Sequence, residues 1–159
     1  MAVKVLKVKT KHLLDEDPEF DARNRLIREV YNMKRLSEFQ HRNFPTLLGY
    51  DTKCLPYHLI TPFQKWGDLL QFVRMSRKRN LHLQPVRLFK MLINVCDALL
   101  LLEEKDLVHR AVMAENVLVS DNFVCQLSGL HALQKLTKGP SKQGNGQELT
   151  GRISILMNI

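Results

Sequence analysis

The sequence lacks the features of a disulfide-braced, zinc-bound or membrane-spanning protein. Its 159 residues include three cysteines, Cys54, Cys96 and Cys125. An odd, scattered set with no Cys-x-x-Cys and no paired Cys/His spacing argues against a disulfide framework and a zinc site, and suits a reducing compartment. No apolar run reaches the roughly 18 residues that a bilayer span needs, and the basic amino terminus has no signal-peptide core. Acidic residues are in deficit, 16 against 24 Lys and Arg, for a formal charge of +8 and a pI near 9.6. That balance points to acidic partners: nucleic acid, anionic membrane or acidic protein surfaces. The densest basic cluster, RMSRKRN from Arg74 to Asn80, has no aromatic interleaved for base stacking. Nucleic acid is therefore not expected, and a solvated helix end is.

What is present is an ordinary globular composition, 45% hydrophobic and 25% charged, in a chain long enough to build a core. Met1 to Lys9 reads as a valine-rich strand. At DPEF a helix start is marked by Asp17 as cap and Pro18 in the first turn. Leu26, Ile27, Val30, Met33 and Leu36 then recur as one apolar stripe. Short strands follow around TLLGY and YHLIT, and GDLLQFV begins a short helix. Pro85 opens a longer one, with Leu88, Leu92, Val95, Leu99 and Leu102 on one face, and its near-uniform apolar second half predicts burial. NVLV and FVCQL flank Ser120-Asp121-Asn122 and read as a hairpin. Beyond Thr137 the polar, Gly-rich TKGPSKQGNGQE reads as a flexible tail.

Taken in order, these stretches resemble the middle of a protein kinase domain, and within that superfamily they are similar to tyrosine kinases. AVKVLK resembles the third strand of the small lobe, with Lys4 as its lysine. LIREVYNMKRL resembles the regulatory helix, with Glu29 as the glutamate that pairs with that lysine. YHLITPFQKWGDLLQFV looks like gatekeeper, hinge and following helix. LVHRAVMAENVLV looks like the catalytic loop, and VCQLSGLHAL like the metal-binding segment. A narrower similarity is to the single-pass serine/threonine/tyrosine kinase-like group, whose members also carry Gly-Leu where active kinases carry Asp-Phe. The fold expected is α+β: a partial two-lobed kinase fold over residues 1–136, with 1–61 in the small lobe, 62–136 from the hinge into the large lobe, and 137–159 a flexible or divergent tail.

The resemblance implies a site. Lys4 would hold nucleotide phosphates and pair with Glu29, across a connector longer than the family usually shows. The plainer alternative is a strand lysine and a solvated helix glutamate. Thr61 stands at the gatekeeper, and Pro62, Phe63 and Gln64 form the hinge, where Pro62 keeps the carbonyl that would meet an adenine ring. Ala2 and Leu118 would sandwich that ring. Asp68 could reach a ribose, or cap the helix that follows; the cap is the stronger reading. Asn116 is the surviving candidate magnesium ligand. Met33, Leu47, His109 and Leu130 match an internal column joining the lobes.

Two acids are missing. Ala111 stands where the family's proton-accepting aspartate follows His-Arg, and Gly129 where its metal-binding aspartate lies, so no catalytic residue is intact. An acid/base group contributes about 10²- to 10⁴-fold, and efficient phosphotransfer is not expected. Glu115 is acidic but off register, and a lone loop histidine such as His131 reads as polar rather than metal-binding. No glycine-rich phosphate loop and no Ala-Pro-Glu segment occurs, so the domain is expected to be truncated at both ends.

The functional expectation is a catalytically impaired pseudokinase fragment that acts through signalling proteins, with residual ATP binding and weak magnesium binding. The alternatives are a weakly active kinase recruiting Glu115, or a basic adaptor using Arg74, Arg77, Lys78 and Arg79. The location implied is cytoplasmic, or the cytoplasmic face of a membrane reached only through segments of a longer parent protein.

Overall fold

A computed structural model describes residues 2–6, 18–80 and 83–136. Three antiparallel strands, β1 (Ala2–Leu6), β2 (Gly49–Asp51) and β3 (Tyr57–Thr61), form a sheet in the order β1-β3-β2. Register sets Ala2 opposite Thr61 and Lys4 opposite Leu59. Helix α1 (Pro18–Ser37) covers this sheet. Helices α2 (Leu69–Lys78) and α3 (Pro85–Glu104) follow. Two small ladders complete the chain: β4 (Leu107–Val108) with β7 (Gln134–Lys135), and β5 (Val117–Val119) with β6 (Cys125–Leu127). The result is the α+β arrangement expected of an incomplete kinase fold. Among the described residues no helix is long and apolar enough to cross a membrane.

The core is continuous between the parts. Leu26, Val30, Met33 and Leu36 of α1 join Leu59, Phe72, Leu102, Val119, Leu127 and Leu130 in one buried cluster. The stripe read on α1 needs one correction. Ile27 is exposed, and the inward face instead carries the polar Glu29 and Asn32 beside the apolar residues. Asn32 sits there because the neighbouring segment offers it a backbone partner, as described below.

Helix α3 is a second correction. Of the stripe read on it, Leu102 is buried and Val95 and Leu99 pack against the core, whereas Leu88 and Leu92 are exposed and Met91, Asn94 and Ala98 are the other buried positions. The face that packs is set by Asn94, whose Oδ1 accepts the Cys125 backbone N–H at 3.0 Å and orients the helix against β6. A polar anchor thus outranks the leucine periodicity, and leaves Phe89, Leu92 and Ile93 in solvent.

The hairpin has a longer connection than read. Ser120 N donates to Val124 O and Val124 N to Ser120 Oγ, both at 3.0 Å, so the loop runs to Val124. Phe123 takes a left-handed φ of 60° there. Its ring stacks on Trp66 (centroids 5.6 Å) and meets the edge of Phe72 (5.9 Å), which removes it from the strand it was assigned to. The same packing ties the segment after β3 to β5, through Trp66 N to Val119 O at 3.1 Å and Val119 N to Gly67 O at 2.8 Å.

The capping reading of Asp68 holds: its Oδ1 accepts the Gln71 N–H at 2.8 Å at the start of α2. Arg74, Arg77, Lys78 and Arg79 are exposed, in keeping with a solvated helix end. Asp17, the connector 7–17 and the tail 137–159 lie outside the described residues.

Candidate functional site

The loop after β4 is organised by a buried histidine. His109 is 2% exposed, its Nε2 lies 3.0 Å from Ser128 O, and its Nδ1 accepts the Ala111 N–H at 3.3 Å. One ring nitrogen must donate and the other accept, which describes a neutral imidazole with the proton on Nε2. Burial pushes its pKa down to about 4, against the upward pull of the Ser128 carbonyl; His131 lowers it further and Glu29 raises it. Arg110 adopts a left-handed φ of 64°, and this turn delivers Ala111 to the site.

Asn116 ends the short 3₁₀ turn Ala114–Asn116. Its Nδ2 donates to Ala111 O at 2.8 Å, closing the loop on itself. Its backbone carbonyl accepts from both Ser128 N (2.7 Å) and Ser128 Oγ (2.9 Å), locking the loop to the segment after β6.

Gly129 follows at a left-handed φ of 77°. A β-carbon there would fall 2.6–2.8 Å from three atoms of the Asn116 side chain. The side chain that would grow from position 129 therefore has its first atom's space taken by Asn116. Leu130 opens a second 3₁₀ turn, Leu130–Ala132, against which α1 packs. Asn32 Nδ2 donates to Leu130 O at 2.7 Å within the core, so α1 and this segment are joined by a buried hydrogen bond as well as by apolar contact.

Glu29 is 5% exposed, which overturns the alternative of a solvated helix glutamate. Lys4 lies on β1, but its side chain, like that of Ala2, is outside what is described, so the expected Lys4–Glu29 pairing is too. Met33, His109 and Leu130 are buried and Leu47 packs against the same core. Thr61, Pro62, Gln64 and Leu118 are half-buried around the end of β3 and along β5, while Phe63 is exposed. Gln64 Nε2 donates to Gln126 Oε1 at 2.8 Å, and Gln126 Nε2 reaches Arg42 O and Phe44 O at 3.0 and 3.2 Å. Leu118 lies beside Asp68 in a short antiparallel bridge.

The donor set does not fit magnesium. Octahedral Mg²⁺ is usually held through one or two carboxylates. Ala111 and Gly129 offer none, and Asn116 could contribute only its single neutral amide oxygen, its Nδ2 being bonded to Ala111 O. Among the described residues no three His, Cys, Asp or Glu side chains gather as ligands.

Sequence reading missed Asn32, Asn43, Gln126 and Ser128. Asn43 is fully buried, with Nδ2 on Cys125 O at 2.9 Å and its carbonyl receiving Leu127 N at 2.7 Å. A polar residue inside an apolar stripe, as Asn32 is, was the one available signal. The others depend on contacts more than 80 residues apart or on backbone partners that no periodicity reports.

Comparison with known proteins gives a consistent result. The family model described as protein tyrosine and serine/threonine kinase matches residues 1–152. Ephrin type-B receptor 4b of Danio rerio is 31% identical over 120 residues, 76% of this chain and 12% of the receptor. The transforming tyrosine-protein kinase Abl of Abelson murine leukemia virus is 32% identical over 139 residues, 87% of this chain and 16% of that protein. Tyrosine-protein kinase Abl of Drosophila melanogaster is 33% identical over 128 residues, 80% of this chain and 7% of its own length. The chain thus spans a small fraction of the relatives it matches.

Proposed function

This chain belongs to the protein tyrosine and serine/threonine kinase family and is of the tyrosine-kinase type, and from that premise we propose that it is a pseudokinase: a signalling domain that binds other proteins and transfers phosphate poorly or not at all. The observation that carries this reading is the packing of Asn116 against Gly129. The family binds ATP and magnesium and uses acids to hold the metal and receive the substrate proton. Here both acidic positions are filled by residues without a titratable group, and the space beside Gly129 is taken by an amide bonded to Ala111 O.

In this reading residual nucleotide binding is carried by the hinge, Thr61, Pro62 and Gln64, with Ala2 and Leu118 against the ring and Lys4 and Glu29 toward the phosphates. Asp68 is occupied as a helix cap. Among the described residues Asn116 is the candidate ligand for magnesium, so the metal adds little. Signalling proteins are the partners, and the domain works in the cytoplasm or at the cytoplasmic face of a membrane.

The test is a thermal melt of the chain with and without ATP, each with and without magnesium, alongside a phosphotransfer assay. ATP at 100 times its dissociation constant should stabilise a folded site by about 2.7 kcal/mol. The proposal expects a cooperative melt raised by ATP with little added by magnesium, and no transfer above background. Transfer that Glu115→Gln abolishes would overturn it in favour of a weak kinase.

A further inference from the structure

Helix α3 carries a second apolar face opposite the one that packs. Val86, Phe89, Ile93, Cys96 and Leu100 recur at alternating steps of three and four, the spacing of a coiled-coil seam. At ~100° per residue they fall within about 80° of arc, centred about 165° from the line of Met91, Asn94, Ala98 and Leu102 that faces the core. Val86, Phe89, Ile93 and Leu100 are 63%, 66%, 54% and 56% exposed, and Cys96 is exposed with them. Leu92, also exposed, borders the seam on one side, and Lys90 and Asp97 border it on the other.

The charges along this face are unmatched within the chain. Lys90 and Asp97 are two helical turns apart, about 10 Å along the axis, too far to pair with each other. Among the described residues neither has an ion-pair partner. The helix ends are uncompensated too. The first turn carries no acidic residue and Gln84 supplies no side-chain cap, while the last turn carries no basic residue. Instead Glu103 and Glu104 stand at the carboxyl end, where the helix dipole disfavours them.

We propose that this face of α3 is a self-association surface, across which a second copy of the chain lays the same helix antiparallel about a two-fold axis. A two-fold interface needs a self-complementary patch, and reversal makes this one so. Setting Ile93 against Cys96 of the second copy sets Phe89 against Leu100, and Val86 against Glu103 at the rim. In that register Lys90 of each copy meets Asp97 of the other, an ion pair on each side of the axis at the border of the seam. Leu92 meets Leu99 along the opposite border. Glu103 and Glu104 of each copy come to the uncapped amino end of the other's helix, where the dipole favours acids. A parallel pair would turn Lys90 and Asp97 toward Pro85 and Leu92 and leave both charges unmatched. A membrane fits less well, because Asp97, Glu103 and Glu104 lie on or beside the face and anionic lipid repels them. The inference goes beyond the function proposed above and does not depend on whether the chain transfers phosphate.

Sedimentation velocity of the full chain in reducing buffer, across the micromolar range, should show a reversible monomer–dimer equilibrium that Ile93→Asp abolishes. Lys90→Glu and Asp97→Lys each bring like charges together on both sides of the axis, and each alone should weaken the dimer by at least about tenfold. An equimolar mixture of those two variants should recover the wild-type affinity, because each supplies the sign that the other lacks. Both positions lie off the core, so melts of the dilute variants should be unchanged, and a misfolded variant could not be rescued by mixing. Reaction of Cys96 with Ellman's reagent should slow as concentration rises, with Cys54 as the unaffected control. A monomer at every concentration, association indifferent to the Lys90 and Asp97 substitutions, or folded single variants that the mixture does not rescue would overturn the proposal. So would a monomeric chain in which Cys96 is shielded at every dilution, which would give the face to residues 137–159 of the same chain.

Discussion

The side chain of Asn116 stands where a β-carbon on Gly129 would have to be, 2.6–2.8 Å away, while its Nδ2 donates to Ala111 O at 2.8 Å. Any substitution at 129 must turn Asn116 away and also hold a left-handed backbone. Gly129→Ala should cost about 1–2 kcal/mol for the backbone and about 1 kcal/mol for the displaced hydrogen bond. In an Asn116→Ala background the second cost is already spent, so the double-mutant cycle should show a coupling of about 1 kcal/mol. Urea unfolding measures it; strict additivity would mean the two residues do not touch.

His109 predicts a pH dependence. Its folded-state pKa is lowered to about 4 by burial, from an ordinary 6.5. The neutral ring is therefore common to folded and unfolded chains above pH 6.5. Between 6.5 and 4 the unfolded chain takes up a proton that the folded chain refuses, so stability falls as pH falls, by about 3 kcal/mol in all. His109→Gln should flatten stability across that window in a urea series taken from pH 7.5 to 4, whatever it costs at neutral pH.

Thiol labelling should divide the cysteines. Cys125 is buried and its pKa is raised to about 11 by desolvation, whereas Cys54 and Cys96 are exposed. Thiolate is the nucleophile, so a native chain should react with Ellman's reagent at Cys54 and Cys96 and expose Cys125 only in denaturant. Fast reaction at Cys125 would show that β6 opens readily.

Asp68 should matter to stability as a cap. Its Oδ1 and Oδ2 accept from Gln71 N and Nε2 at 2.8 and 2.5 Å. Asp68→Ala should lower stability by about 1 kcal/mol, while Asp68→Asn or Asp68→Ser recovers most of it. ATP-dependent stabilisation should survive all three; loss of the ATP response in Asp68→Asn would place the carboxylate at a ribose.

Much of this protein was legible in the chain itself because its information is local. The starts of α2 and α3 follow from Asp68 and Pro85, each a property of one turn. The order of motifs from AVKVLK to SGLH marks the kinase family. Local patterns failed wherever a partner distant in the chain decided the outcome. The leucines of α3 promised a seam buried along its length, but only Val95, Leu99 and Leu102 reach the core, while Asn94 ties the helix to the backbone of Cys125. Phe123 read as a strand residue until Trp66 and Phe72 drew it into an aromatic cluster. Asn32 is buried because a segment nearly 100 positions later presents Leu130 O to the helix, and Glu29 is buried on the same helix. The glycine at 129 and the alanine at 111 were thus written in the sequence, whereas their joining was decided by the tertiary fold: a left-handed glycine has room against it, and the Asn116 amide packs there and bonds to Ala111 O.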